Sequence, residues 1–239
     1  MSADFSGKVV LVAGGTGGLG RAVSLAFLAN GAQVAVTWRH ENEFLALQGA
    51  VGTDASRLAG FGVDVADPHQ TADLAQQILA KWGRLDVLVN AVGGYAGGVP
   101  LWDIEPELLE RMLSLNLRAG YALAKAIVSH MIARKSGSII NVASKAALDH
   151  AAGASAYAAT KAAAVALMDS LAADLMGSGV RVNSILPSII DTTANRAAMP
   201  DADFSRWPKP EDIAKVILFL ASDDARVVHG ASVPVFGSG

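Results

Sequence analysis

The run Tyr157-Ala158-Ala159-Thr160-Lys161 sets a phenol and an amine four residues apart, so on a helix they share one face. Such a pair can handle a proton. A free tyrosine has a pKa of about 10, too high for ready exchange near neutrality. An ammonium one turn away favours the tyrosinate and is expected to lower that value. Tyr157 then serves as a general acid in reducing a carbonyl and as a general base in oxidising an alcohol. Reduction also needs a hydride, and therefore a seat for its carrier.

A glycine cluster offers that seat. Gly14-Gly15-Thr16-Gly17-Gly18-Leu19-Gly20 follows an apolar run and precedes a helical pattern. Glycines let the backbone turn tightly and approach a pyrophosphate, and the helix N-terminus aims N–H groups at it. Two spacings overlap: Gly15, Gly17 and Gly20 fit G-x-G-x-x-G, while Gly14, Gly18 and Gly20 fit G-x-x-x-G-x-G. The turn alone does not choose between them. An acid about 20 positions further on would hold the ribose 2'-hydroxyl of NAD(H), whereas an arginine accommodates the 2'-phosphate of NADP(H). The chain has Thr37-Trp38-Arg39-His40 there and no acid before Glu41. Arg39 therefore favours NADP(H), with NAD(H) still admissible, and Trp38 offers a face to the adenine.

The elements that must hold these groups alternate. Strands are expected at Lys8–Ala13, Gln33–Trp38, Gly60–Val63, Leu85–Asn90, Ser138–Val142, Val180–Leu186 and Ala231–Val235. Helices are expected at Gly18–Asn30 with Gly31 as its stop, Glu43–Ala50, Pro68–Trp82 with Asp67 as N-cap, Pro106–Arg134, Ser155–Met176 and Pro210–Ala221. The apolar stretch Ala151–Met168 reads as a buried, alanine-rich helix. Strand–helix alternation means parallel strands, right-handed crossovers and helices on both faces, a doubly wound α/β sheet of about seven strands. Ligands of such sheets sit at the carboxyl ends of the strands. The least regular stretch, residues 188–209, is a candidate substrate lid.

Composition bounds the rest. The chain has 239 residues, which reads as one domain spanning residues 1–239. It lacks cysteine, which excludes disulfide scaffolds, thiolate metal sites and cysteine nucleophiles. With 19 basic against 22 acidic residues there is no polybasic surface, so no nucleic-acid partner is expected. No apolar run reaches the length of a signal or a membrane span, so a cytoplasmic protein with no membrane partner is expected. Asp, Glu and His residues lie without ligand spacing, so no metal is expected. Charged residues are 17% against about 25% in typical soluble chains, which points to surface buried in an oligomer.

Taken together, these motifs resemble the short-chain dehydrogenase/reductase superfamily over nearly the whole chain, with its Rossmann-type fold. The glycine turn reads as Gly14-x-x-x-Gly18-x-Gly20. Asp64-Val65 matches the adenine contact after strand three, although Asp64 alone would pass for a turn residue. Asn90-Ala91-Val92-Gly93 is an altered form of Asn-Asn-Ala-Gly, and Asn116 matches the mid-helix asparagine. Ser144 matches the serine thirteen residues before the tyrosine, and Tyr157 with Lys161 matches Y-x-x-x-K. The resemblance implies an NAD(P)-dependent oxidoreductase moving hydride between nicotinamide and a carbonyl or alcohol. Ser144 would bond the substrate oxygen, Lys161 would hold the nicotinamide ribose, and Asn116 would anchor a proton-relaying water. It further implies cofactor contacts at Thr16, Gly17, Leu19, Asn90, Ala91, Gly93, Pro187, Ser188, Ile190 and Thr192. Family members commonly form homotetramers through the two long helices, here Glu107–Arg134 and Ser155–Met176, with a second contact through the last helix and strand. Ala13, Ala91-Val92, Pro187-Ser188 and the terminal Phe236-Gly237-Ser238-Gly239 depart from the family pattern and mark a divergent branch.

Three segments also resemble dihydropteridine reductases: Gly93–Gly98, Lys145–Asp149 and Leu186–Trp207. Those enzymes carry an acid after strand two and lack the serine, whereas this chain has Trp38-Arg39 and Ser144. The expectation is a general carbonyl reductase with a similar lid, in which Met199, Phe204 and Trp207 roof an apolar pocket beside Tyr95 and Trp102. A pterin reductase is the first alternative. A dinucleotide-binding sensor without turnover is the second.

Overall fold

Val9–Ala13 forms β1, and all five residues are buried. Side chains alternate across a strand. Val10 and Val12 enter the core on one face, and Val9, Leu11 and Ala13 enter the core on the other. A strand buried on both sides belongs in the middle of a parallel sheet, and that is where the computed structural model places it. The structure describes residues 4–237. The terminal Ser238-Gly239, half of the divergent C-terminal tetrapeptide, lies outside the described residues.

After β1 come α1 (Gly18–Ala29), β2 (Gln33–Trp38), α2 (Glu41–Ala50), β3 (Leu58–Gly62), α3 (Pro68–Trp82) and β4 (Val87–Asn90). Then follow α4 (Pro106–Leu113), α5 (Ala119–Arg134), β5 (Gly137–Val142), α6 (Ser155–Asp174), β6 (Val180–Pro187), α7 (Thr193–Ala198), α8 (Pro210–Ala221) and β7 (Ser232–Val235). The seven strands are parallel in the order β3-β2-β1-β4-β5-β6-β7. The order reverses between β1 and β4, which opens a crevice at their carboxyl ends.

One core layer gathers Val23, Phe27 and Leu28 of α1 with Ile213, Ile217 and Leu220 of α8. The opposite layer gathers Leu74 and Ile78 of α3, Leu123, Ile127 and Met131 of α5, and Met168 and Ala172 of α6. Burial outweighs local preference here. Two glycines in the first turn of α1 cost about 1 kcal/mol each relative to alanine. Burying Val23, Phe27 and Leu28 contributes roughly 1.5–3 kcal/mol each, which is the larger effect. Asp67 caps α3, accepting from His69 N at 2.8 Å, and Gly83 closes it at φ 72°.

Four expectations need correction. The third strand runs Leu58–Gly62, because Leu58 pairs with Val34 and Gly62 with Trp38. The second helix begins at Glu41 rather than Glu43. The long helix expected over Pro106–Arg134 is interrupted by a five-residue π-turn at Ser114–Arg118, which carries Asn116. The buried helix expected from Ala151 starts only at Ser155, and Ala151 and Ala152 are exposed. Among the described residues no helix is long and apolar enough to cross a membrane.

Gly20 should prove the least replaceable glycine of the turn. A Cβ there would lie 2.0 Å from the Gly14 carbonyl oxygen, whereas one at Gly49 on α2 meets nothing within 4 Å. Gly20→Ala is expected to lower stability in urea by about 1–3 kcal/mol. Gly49→Ala is expected to raise it by up to about 1 kcal/mol.

Candidate active site

Four strand ends build the crevice. Its lining includes Gly14, Thr16 and Gly17 after β1, Thr37 and Trp38 of β2 with Arg39 beyond it, and Asp64 and Val65 after β3. Ala91, Val92 and Gly93 after β4, with Ser114 and Leu115 of the π-turn, complete it, and the cavity measures about 330 Å³. A groove beside it continues past Gly18 and Leu19 to Ile190 and Thr192.

The glycine turn is held by backbone proximity. Gly14 stands at φ 72° and donates its N–H to Thr37 Oγ1 at 2.9 Å. A Cβ on Gly15 would come within 2.6 Å of Val36, and one on Gly18 within 2.8 Å of Thr192. Gly17 has room, since a Cβ there would come no nearer than 3.5 Å to the Gly14 carbonyl oxygen, and it is exposed to the crevice. The surface left bare is therefore the one facing the crevice, which fits a pyrophosphate. Trp38 lies over Gly62, where any Cβ would meet its ring at 2.6 Å, and its indole N–H has no partner among the described residues. Arg39 is exposed and free of hydrogen bonds and ion pairs among the described residues. Asp64 Oδ1 accepts from Ala66 N at 3.0 Å, a turn contact that leaves the residue on the crevice wall. These features fit a dinucleotide.

Asn90 behaves differently from the expectation of a cofactor contact. Its side chain is buried and donates to Asn141 Oδ1 at 3.0 Å, while its Oδ1 accepts from Val92 N at 3.3 Å. It shapes the wall behind the crevice without lining it. Ala91 and Gly93 do line it. Pro187 is buried at the end of β6, and Ser188 donates to the Phe236 carbonyl at 2.9 Å, tying that strand end to the C-terminal segment.

Beyond Gly93 the crevice meets the residues expected to handle protons. Lys161 is 5% exposed and donates to the Val142 carbonyl at 3.0 Å. A Cβ on Gly93 would stand 3.0 Å from both Asn116 Oδ1 and Lys161 Nζ, so a bare Cα is what lets the three meet. Asn116 sits where the π-turn widens the helix. Its Oδ1 accepts from Gly94 N at 3.0 Å, and its Nδ2 donates to the Gly94 carbonyl at 3.0 Å and Thr160 Oγ1 at 3.2 Å. It pins the strand-four loop to α6. Ser144 accepts from Ala146 N at 3.1 Å, which leaves its own proton free to donate. Tyr157 stands one turn before Lys161, with the Tyr95 ring edge-on at 5.0 Å.

The electrostatics correct one expectation. Lys161 does not pull the phenol down here. Burial holds Tyr157 above the ordinary tyrosine value, a hydrogen bond with Ser144 opposes the rise, and Tyr95 adds to it. Burial also depresses Lys161, to about 8, and its ammonium is directed to the Val142 carbonyl.

The segment expected as a lid is largely irregular. Residues 188–209 contain the short α7, a single turn at Phe204–Arg206 and irregular backbone. Phe204 packs on Trp207 at 5.0 Å and under Arg196 at 4.7 Å, and Met199 is partly buried. Trp102 is 84% exposed, and the ring that meets Tyr157 is that of Tyr95. Sequence reading missed Thr37, whose hydroxyl fixes Gly14, and Glu43, which accepts from Thr16 Oγ1 at 2.9 Å. Thr37 gave no signal beyond its place in β2. Glu43 belongs to a helical turn whose direction the sequence does not show.

The chain is similar to known proteins over nearly its whole length. The family model described as short chain dehydrogenase matches residues 8–203. The chain is 33% identical to the D-threitol dehydrogenase of Mycolicibacterium smegmatis, over 99% of this chain and 96% of that protein. It is 32% identical to the 3-oxoacyl-[acyl-carrier-protein] reductase FabG of Thermotoga maritima, over 97% of each. Among solved structures it resembles ElxO with NADP bound, at TM-score 0.91 and 27% identity, over 96% of this chain and 97% of that one.

The buried ammonium should report itself in stability. A lysine with a pKa of about 8 when folded and an ordinary value when unfolded opposes folding fully below pH 8. From pH 8 upward the unfolded chain binds more protons, so stability recovers until the unfolded lysine also titrates. The stability of Lys161→Met minus that of wild type, measured in urea, should therefore be more favourable at pH 7 than at pH 10, by a few kcal/mol at most (~1.4 per unit). A difference independent of pH would contradict the shift.

Proposed function

The chain belongs to the short-chain dehydrogenase/reductase family, and from that premise we propose a nicotinamide-dependent carbonyl reductase or alcohol dehydrogenase with Tyr157 as its proton donor and acceptor. The carrying observation is the convergence of Gly93, Asn116 and Lys161 at the inner end of the crevice. The dinucleotide supplies or receives the hydride when bound. Thr16, Gly17, Gly18 and Leu19 would hold its pyrophosphate, Asp64 and Val65 its adenine, and Pro187, Ser188, Ile190 and Thr192 the wall of the nicotinamide pocket. Arg39, free at the end of β2, supports NADP(H) as the favoured form.

The carbonyl oxygen gains negative charge during reduction. Tyr157 Oη gives it a proton, and Ser144 Oγ donates a hydrogen bond that stabilises the developing charge. Lys161 keeps a positive charge beneath the site, and Asn116 fixes the loop and helix between which protons are replenished. Tyr95 with the Met199, Phe204 and Trp207 segment forms the apolar approach, and residues 188–209 act as the lid.

The assembly we propose is a homotetramer. Tyr121 and Ile132 of α5 are exposed apolar residues, and a shallow apolar hollow between α5 and α6 is lined by Tyr121, Val128, Leu167 and Leu171. Light scattering at micromolar concentration should give four times the chain mass, and a monomer would refute the assembly.

The reaction is tested with reactive diketones, ketones and quinonoid dihydropterin under both reduced cofactors. Tyr157→Phe should lose at least ~10²-fold in kcat. Ser144→Ala should lose a similar factor, as for one oxyanion donor. Efficient pterin turnover that survives Ser144→Ala would support the pterin reductase reading. Nucleotide binding without turnover of any substrate would support a sensor. Ketone reduction that survives Tyr157→Phe would overturn the mechanism.

A further inference from the structure

We propose that Glu43 is a second determinant of cofactor choice, acting against the 2'-phosphate that Arg39 attracts. The inference rests on the dinucleotide reading of the crevice and deepens it.

Adenine-ribose recognition in this fold occurs at the end of β2, where an acid accepts from a 2'-hydroxyl or an arginine takes a 2'-phosphate. The sequence offers Arg39 and no acid at that strand end. The fold supplies one. The chain turns at His40, and the first turn of α2 brings Glu43 back against the glycine turn, where its Oε2 accepts from Thr16 Oγ1 at 2.9 Å. Glu43 lines the crevice together with Trp38, Arg39 and His40, and also the adjoining groove with Gly18 and Arg21. No cation forms an ion pair with it among the described residues, and it shares the crevice lining with Arg39.

The two charges act in opposite directions. A 2'-phosphate brings up to about two negative charges, which Arg39 attracts and Glu43 repels. A 2'-hydroxyl brings none and can donate to a carboxylate. The Thr16–Glu43 hydrogen bond must also open before the threonine hydroxyl can turn toward a phosphate. The chain therefore accepts both dinucleotides, with its preference for NADP(H) held down by one carboxylate.

The test is binding, followed by the fluorescence of the reduced nicotinamide, with NADPH and NADH titrated separately into wild type, Glu43→Gln and Glu43→Lys. Glu43 is exposed on its helix, so the fold should tolerate both changes. Glu43→Gln should tighten NADPH by about fivefold or more, as removing one repulsive charge at near-water dielectric would do. NADH should gain less, because only the freeing of Thr16 for the shared pyrophosphate applies to it. Glu43→Lys should move further the same way, and about 1 M salt should shrink both effects. Equal changes for the two nucleotides, or none, would overturn the role of Glu43 alone. Failure of wild type to bind either nucleotide would overturn the cofactor reading and this inference with it.

Discussion

The site is organised around a buried ammonium. Lys161 reaches from α6 to the carboxyl end of β5 and spends a hydrogen bond on the Val142 carbonyl. An ammonium deprived of water favours its neutral form, which is why its pKa sits near 8. Keeping it charged near neutrality requires close polar company and no bulk beside it. Gly93 leaves that space open. The Asn116 side chain stands equally close to that glycine, and the π-turn that carries it inserts a wider ring of backbone into an otherwise regular helix. The altered motif Asn90-Ala91-Val92-Gly93 keeps a glycine where a side chain would crowd Asn116 and Lys161.

The same economy of space governs the other end of the crevice. The glycine turn is compact because Gly20 lies on the Gly14 carbonyl and Gly15 on Val36, so the helix N-terminus is pressed close to the sheet. A threonine hydroxyl from the neighbouring strand fixes the turn's first N–H. Ala13 at the end of β1 therefore leaves the turn anchored, with β2 providing the hydroxyl. Both ends of the crevice thus depend on side chains that are absent, and the sheet order that opens the gap between β1 and β4 makes those absences useful.

Much of this was legible in the sequence for a physical reason. Apolar runs bounded by glycine and proline, such as Val9–Ala13 and Pro68–Trp82 with its Asp67 cap, are decided by local patterning, and the strand–helix alternation then leaves few topologies. Residues with a fixed spacing on one element, Tyr157 and Lys161, were equally legible. Features decided by tertiary contacts were hidden. The π-turn has no signal beyond Asn116 itself. The inward turn of Asn90 toward Asn141, the return of Glu43 to Thr16 and the packing of Phe204 on Trp207 depend on neighbours distant in sequence. The sign of the Tyr157 shift was also hidden, because a sequence shows which charge is near and not how much water is lost.

The most direct check on this account is the titration of Lys161 itself. The side-chain carbon next to its amine can be followed by nuclear magnetic resonance across pH 6–11, its signal identified by its loss in Lys161→Met. A midpoint near 8 is expected. A midpoint at the ordinary lysine value of about 10.4 would contradict it, because the ammonium would then be hydrated and the site would not be built around its burial.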